Sequence, residues 1–386
     1  MDLAESIPRA VALVIGPVLA VLVYALYTTT RSSNMHVQTE RRAAFDIGSG
    51  ATKLLVADVD VDRGTIIGQP LYQAEKPFGY KADAQNSTDG SLSEDIQTRG
   101  LALMVALAAK ARDLGAVSAS AIATEVFRTA PNGLAYLRSL SERTGIPITT
   151  ISQEKEARLG LATAEALSGG PTVVTASWDS GGGSFQITAR DGASASADQV
   201  ATVSLRTYCG RLGTGPAFER CLVRVQGRPY GLPSNATVNP LSSTDAAELV
   251  ALLKSEMPPP VGWLQGASIV AIGGFNSIFA VTYRALETLV WKTDSSSATA
   301  MVITRADAQK ALAACTDKTD EQLEAVAGVG DHAEPPSLVA PKVALFFAVV
   351  SHLGLERITF VPATGGCAGL MALGEPAFVP LQSSTP

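Results

Sequence analysis

Histidine is scarce in this chain: His36, His332 and His352 are the only three among 386 residues. Neither a histidine-rich metal site nor a histidine–aspartate phosphohydrolase domain can be built from so few. No Gly-x-Ser-x-Gly elbow stands near a histidine, so nothing marks Ser–His–Asp catalysis. The four cysteines, Cys209, Cys221, Cys315 and Cys367, include no Cys-x-x-Cys pair, which removes the usual zinc spacing. Cys209 and Cys221 could form a disulfide only in an oxidising compartment; otherwise all four are thiols. Basic runs with interleaved aromatics are missing, and the net charge is −6. Both facts argue against a nucleic-acid partner. Charged residues make up only 17 % against 46 % apolar ones, the balance of a chain with a real core rather than a disordered one. The length is generous for one domain and comfortable for two.

One long uncharged run is present, from Ala10 to Tyr27. It sits at the lower edge of bilayer-spanning length, and Tyr24 and Tyr27 stand where interfacial aromatics belong. No small-x-small cleavage site follows it. The expectation is an uncleaved membrane anchor through residues 10–27, with residues 1–42 as anchor and linker. Arg31, Arg41 and Arg42 follow the run and place the globular part in the cytosol of a single-pass protein. A translation start at Met35 would instead give a cytoplasmic chain.

What the chain does contain is one short pattern twice. Phe45-Asp46-Ile47-Gly48-Ser49-Gly50 and Trp178-Asp179-Ser180-Gly181-Gly182-Gly183-Ser184 each read apolar run, Asp, one residue, then a glycine-rich turn, with the two Asp 133 positions apart. An apolar, β-favouring run resumes after each. Each unit predicts a hairpin whose turn has few side chains in the way. Glycine permits positive φ and lets backbone N–H groups approach a ligand. A carboxylate at the strand end can hold a cation, directly or through water. Two such hairpins face to face would clamp a phosphate chain together with Mg²⁺.

Between and after these units, apolar periodicity alternates strand with helix. Strands are predicted at Thr65–Leu71, Val117–Ala123, Ile148–Ser152 and Gln199–Leu205, and helices over Ile96–Leu114, Lys155–Leu167 and Val339–Gly354. Ser93 reads as an N-cap. Residues 206–240, rich in Gly, Pro and Asn, read as an irregular insertion. The pattern predicts two α/β domains, 43–172 and 173–386, with a cleft between them.

Four blocks, in order, resemble the Ppx/GppA phosphatases, the exopolyphosphatase and guanosine pentaphosphate phosphohydrolase group of the actin, Hsp70 and sugar-kinase superfamily. They are the two phosphate turns, Ala123-Thr124-Glu125-Val126-Phe127-Arg128-Thr129-Ala130-Pro131-Asn132, and Ile151-Ser152-Gln153-Glu154-Lys155-Glu156-Ala157-Arg158. Ile272-Gly273-Gly274 and Gly365-Gly366 sit where the superfamily has its later glycines. The resemblance implies two ribonuclease-H-like domains of the actin-like ATPase kind. It also implies a Mg²⁺-dependent hydrolase releasing terminal phosphate from polyphosphate or pppGpp-like nucleotides. In that scheme Gly48, Ser49, Gly50, Gly181, Gly182, Gly183 and Ser184 bind phosphate, Asp46 and Asp179 hold the metal, and Arg128 steadies a phosphate oxygen. Glu156 is the general base, and Gln186 orients the attacking water. Lys53 is left open, because alternation after the turn could point it either way. Homodimerisation is compatible with such folds.

The chain departs from the family's pattern at four places. Gly50 replaces an Asn, Gln153 a Gly, Lys155 a Glu, and Gln186 a Glu. Gln186 is similar instead to the apyrases of the same superfamily, which opens the alternative of a nucleoside tri- and diphosphatase. Lys155 opens another, a non-catalytic sensor of polyphosphate or nucleotide.

Overall fold

The computed structural model describes residues 38–168, 174–191, 204–229, 236–292, 301–328 and 333–381. The first sheet grows from the first hairpin, β1 (Thr39–Ile47) antiparallel to β2 (Ala51–Asp60). β3 (Thr65–Ile66) and β4 (Tyr72–Pro77) extend the β2 side. On the other side β5 (Ser118–Ala123) runs parallel to β1, and β6 (Ile148–Thr150) parallel to β5. Residues Arg42 to Ile47 are buried without a break, as expected of a strand covered on both faces. Helix Glu94–Asp113 covers one face; Ser93 caps it by accepting the Ile96 N–H at 3.2 Å.

The second sheet repeats the plan. β7 (Ala176–Ser180) and β8 (Phe185–Arg190) form the hairpin, and β9 (Leu205–Gly210) lies antiparallel beside β8. β10 (Ile269–Gly273) runs parallel to β7, followed by β12 (Arg357–Pro362) and the antiparallel β11 (Met301–Thr304). Its core centres on Trp178, stacked on Phe346 at 5.3 Å and edge-on to Phe279. Helix Gln153–Ser168 lies between the sheets. Gly160 brings it within van der Waals reach of Ile272 and Asp179, and Gly369 seats helix Cys367–Leu373 against its Leu159 carbonyl. The chain's end returns to the first sheet, where β13 (Val379–Pro380) pairs with β5.

Three readings of the sequence are corrected here. The third strand expected over Thr65–Leu71 is two strands: β3 stops at Ile66, and β4 begins at Tyr72 after the Gly68–Pro70 break. Residues 206–240 are not irregular throughout. Tyr208 and its neighbours pair with β8, and Thr214–Arg220 is a helix that tolerates Pro216 in its first turn. The membrane anchor and single-pass placement are withdrawn. No helix among the described residues is long and apolar enough to cross a membrane, and residues 10–27 lie outside the described residues. The strongly apolar helix Val339–His352 has only 14 residues and is spent on the core. All four cysteines are free thiols.

Candidate active site

Strand register assembles the charged centre. Residues directly opposite in an antiparallel ladder carry their side chains on the same face. Asp46 opposes Lys53, and Lys53 opposes Glu75, so one charged row crosses β1, β2 and β4. In the second sheet Asp179 opposes Gln186, which opposes Cys209. Lys53 and Gln186 therefore hold equivalent places in the two hairpins. Burial works against the charge on Lys53, but Asp46, Glu75 and Asp179 outweigh it and hold the ammonium above the usual lysine value. Burial raises the Asp179 carboxyl, Lys53 pulls it back, and Asp46 raises it again.

Both turns close the same way. The Gly48 N–H donates to the Ala51 carbonyl at 2.8 Å, and the Gly181 N–H to the Ser184 carbonyl at 2.9 Å. None of the five turn glycines has positive φ, so the left-handed backbone expected there is not the reason for glycine. The space beside both turns is open: a Cβ at Gly50 or Gly182 would meet nothing within 4 Å. The N–H groups of Gly50, Gly182 and Gly183 donate to no group among the described residues and are left for a ligand. The Ser49 hydroxyl accepts the Val126 N–H at 3.3 Å. Gly213 packs against the second turn, where a Cβ would lie 2.5 Å from Gly182. Gly365, at φ +56°, lets Gly366 donate its N–H to Asp46 Oδ2 at 3.0 Å.

Asp46, Thr124, Ile151, Glu156, Asp179 and Gly366 line a cavity of ≈ 20 Å³, room for about one water. Glu156 enters it from the first turn of helix Gln153–Ser168. Burial, then Asp179 and Asp46, push its carboxyl up to about 7, against the pull of Arg128 and Lys53. Arg128 itself stands exposed outside the cavity and donates to the Ile151 carbonyl. Gln186 is buried beside Asp179 and does not line the cavity. Lys155 is exposed and points no charge into it.

The cavity's three carboxylates offer oxygen only; burial first, and then their like charges, raise Glu156 and Asp179 against the pull of Lys53. Carboxylate oxygen is the donor type that a small hard cation such as Mg²⁺ takes, with water completing its shell. No group of three or more acidic, His or Cys side chains able to hold a metal converges among the described residues. In donor type alone, the residues fit the ion.

Sequence reasoning missed Glu75, because Tyr72–Pro77 mixes charge and ends in proline; its one signal is the period of two around buried Ala74. It also missed that Gly365 and Gly366 hold Asp46, a contact 320 residues apart in the chain.

Two repeated hairpin sheets enclosing a carboxylate-lined cavity define a two-domain protein of the actin-like ATPase fold. Residues 74–215 match the model of the Ppx/GppA phosphatase family. The match covers less than half of the chain. The Aquifex aeolicus PPX-GPPA enzyme superposes with a TM-score of 0.61 at 17 % identity, covering 87 % of this chain and 99 % of that one. An exopolyphosphatase from Cytophaga hutchinsonii gives 0.62 at 15 % identity, covering 87 % and 98 %. A Neospora caninum nucleoside triphosphate hydrolase gives 0.53 at 12 %, covering 93 % and 96 %. At these identities the likeness is one of fold. An uncharacterised Streptomyces coelicolor protein is 30 % identical over 147 residues, 38 % of this chain; the match spans 42 % of that protein's length.

Proposed function

We propose that this chain is a Mg²⁺-dependent phosphoanhydride hydrolase that releases terminal phosphate from inorganic polyphosphate or a pppGpp-like nucleotide. The observation that carries this reading is Glu156: a carboxyl raised to about 7 beside Asp46 and Asp179, in a cavity the size of one water. A base poised near neutral pH is suited to taking a proton from water. The family match over residues 74–215 and the exopolyphosphatase fold support the same class.

In this scheme the free N–H groups of Gly50, Gly182 and Gly183 hold the phosphate oxygens. Glu156 accepts a proton as the water oxygen bonds to the terminal phosphorus. The bond from phosphorus to the bridging oxygen breaks, and the shortened chain leaves with that oxygen. Mg²⁺, when bound through Asp46 and Asp179, supplies charge neutralisation for the phosphates. Gln186 does not line that cavity, so in this scheme it acts on the water only through Asp179, its cross-strand neighbour. Arg128 at the rim offers a planar cation to a phosphate oxygen, giving up its bond to Ile151.

A second reading, an apyrase-like nucleotidase, is favoured by one observation. Gln186 is a neutral amide where the Ppx/GppA pattern has Glu, and in this it is similar to the apyrases. A substrate panel separates the two. The full chain with Mg²⁺ should release phosphate from polyphosphate and pppGpp faster than from ATP and ADP; the reverse order selects the nucleotidase. Glu156→Gln should lower kcat by about 10²–10⁴-fold with KM little changed. Equal turnover in both proteins would sink the assignment of the base.

A further inference from the structure

Lys81 touches both glycine turns. Its residue sits at the start of helix Tyr80–Asn86, and its backbone N–H donates to the Ser49 carbonyl of the first turn at 3.0 Å. Its ammonium reaches the second turn: a Cβ built at Gly183 would lie 3.2 Å from Lys81 Nζ. The partner of Nζ is Glu125 Oε2 at 3.0 Å, with side chains 40 % and 56 % exposed. Glu125 belongs to helix Glu125–Thr129, itself tied to the first turn through the bond from Val126 to Ser49 Oγ. One cation anchored on the first turn thus lies over the second, held by a single exposed carboxylate.

Exposed ion pairs of this kind are weak. A terminal phosphate carries more charge than a carboxylate and presents several oxygens, so it competes well for an ammonium already in place. Gly183 also leaves no side chain between Nζ and the free N–H groups of the second turn.

We infer that Lys81 is a phosphate-capturing residue, which exchanges Glu125 for a substrate phosphate as the polyanion enters between the turns. The inference rests on reading this cleft as a phosphoanhydride site. Glu125 is then a built-in competitor: it keeps the lysine in position and weakens substrate affinity while doing so. A purely structural ion pair predicts the same loss from removing either partner, whereas an exchange predicts opposite signs.

The test is calorimetric titration of the full chain with tripolyphosphate, in a Glu156→Gln background that prevents turnover. Lys81→Met should weaken binding about tenfold, Glu125→Gln should tighten it about threefold, and Lys81→Arg should stay within about threefold of the parent. Glu125→Gln should have no effect once Lys81→Met is present. Melting curves check that each variant folds. Unchanged affinity in every variant, or weakening by both Lys81→Met and Glu125→Gln, overturns the role of Lys81 while leaving the site. A parent that binds no tripolyphosphate overturns the site and this inference with it.

Discussion

At the scale of one residue, the proposed base Glu156 carries the test of the chemistry. A base works only when deprotonated, so kcat should rise with pH through about 7 and level off above it. Folding responds in the opposite sense. A carboxyl raised above its unfolded value binds its proton more tightly in the native state. Its stabilising contribution is complete below about 4.5 and is lost as pH rises through about 7. Glu156→Gln never ionises. Differential scanning calorimetry should find it more heat-stable than the parent by about 1–3 °C at pH 8, and equal to it near pH 4.5. Equal melting at pH 8 would mean that the carboxyl is not buried among like charges. Glu156 stood out because it sits in a compact sequence block, and it lines the cavity with Asp46 and Asp179. Lys53 did not, since its direction depends on how many residues the turn consumes, and only the pairing of Asp46 with Lys53 decides it.

Among elements, the hairpins were legible from their paired Asp-and-glycine pattern, and most helices from apolar spacing and caps. β4 was not, because a strand that pairs on one edge needs little apolar character, and Glu75 was lost with it. The glycine turn at residues 365–366 was visible, but its target was not, since nothing local reveals a partner on β1. Gly365→Ala tests that turn. Its Cβ would stand 2.1 Å from Asp46 Oδ2, at a φ of +56° that alanine tolerates poorly. The expected outcome is a loss of about 1–3 kcal/mol in chemical denaturation. The Mg²⁺ concentration for half-maximal activity should rise severalfold. An unchanged metal dependence would show that Asp46 does not need the turn.

For the whole molecule, the question is what closes the two halves. Glu75 reaches from the first sheet to Gly274 at the end of β10, so closely that a Cβ there would lie 1.6 Å from Glu75 Oε2. Gly274→Ala must push Glu75 aside. Limited proteolysis should then cut between the halves severalfold faster, with each half's own resistance unchanged. A cleavage rate equal to the parent's would place the closing contact elsewhere.

The bond from Gly366 to Asp46 has a consequence for how the protein is made. A chain leaving the ribosome exposes Asp46 well before Gly366 is made, and domains tend to fold in order of emergence. The first hairpin can pair and bury its strands early. Its carboxylate, though, waits 320 residues for the N–H that fixes it, as β5 waits for β13. The nascent first half is thus a folded sheet whose Asp46 is unset, and the carboxylate is fixed only once Gly366 has been made.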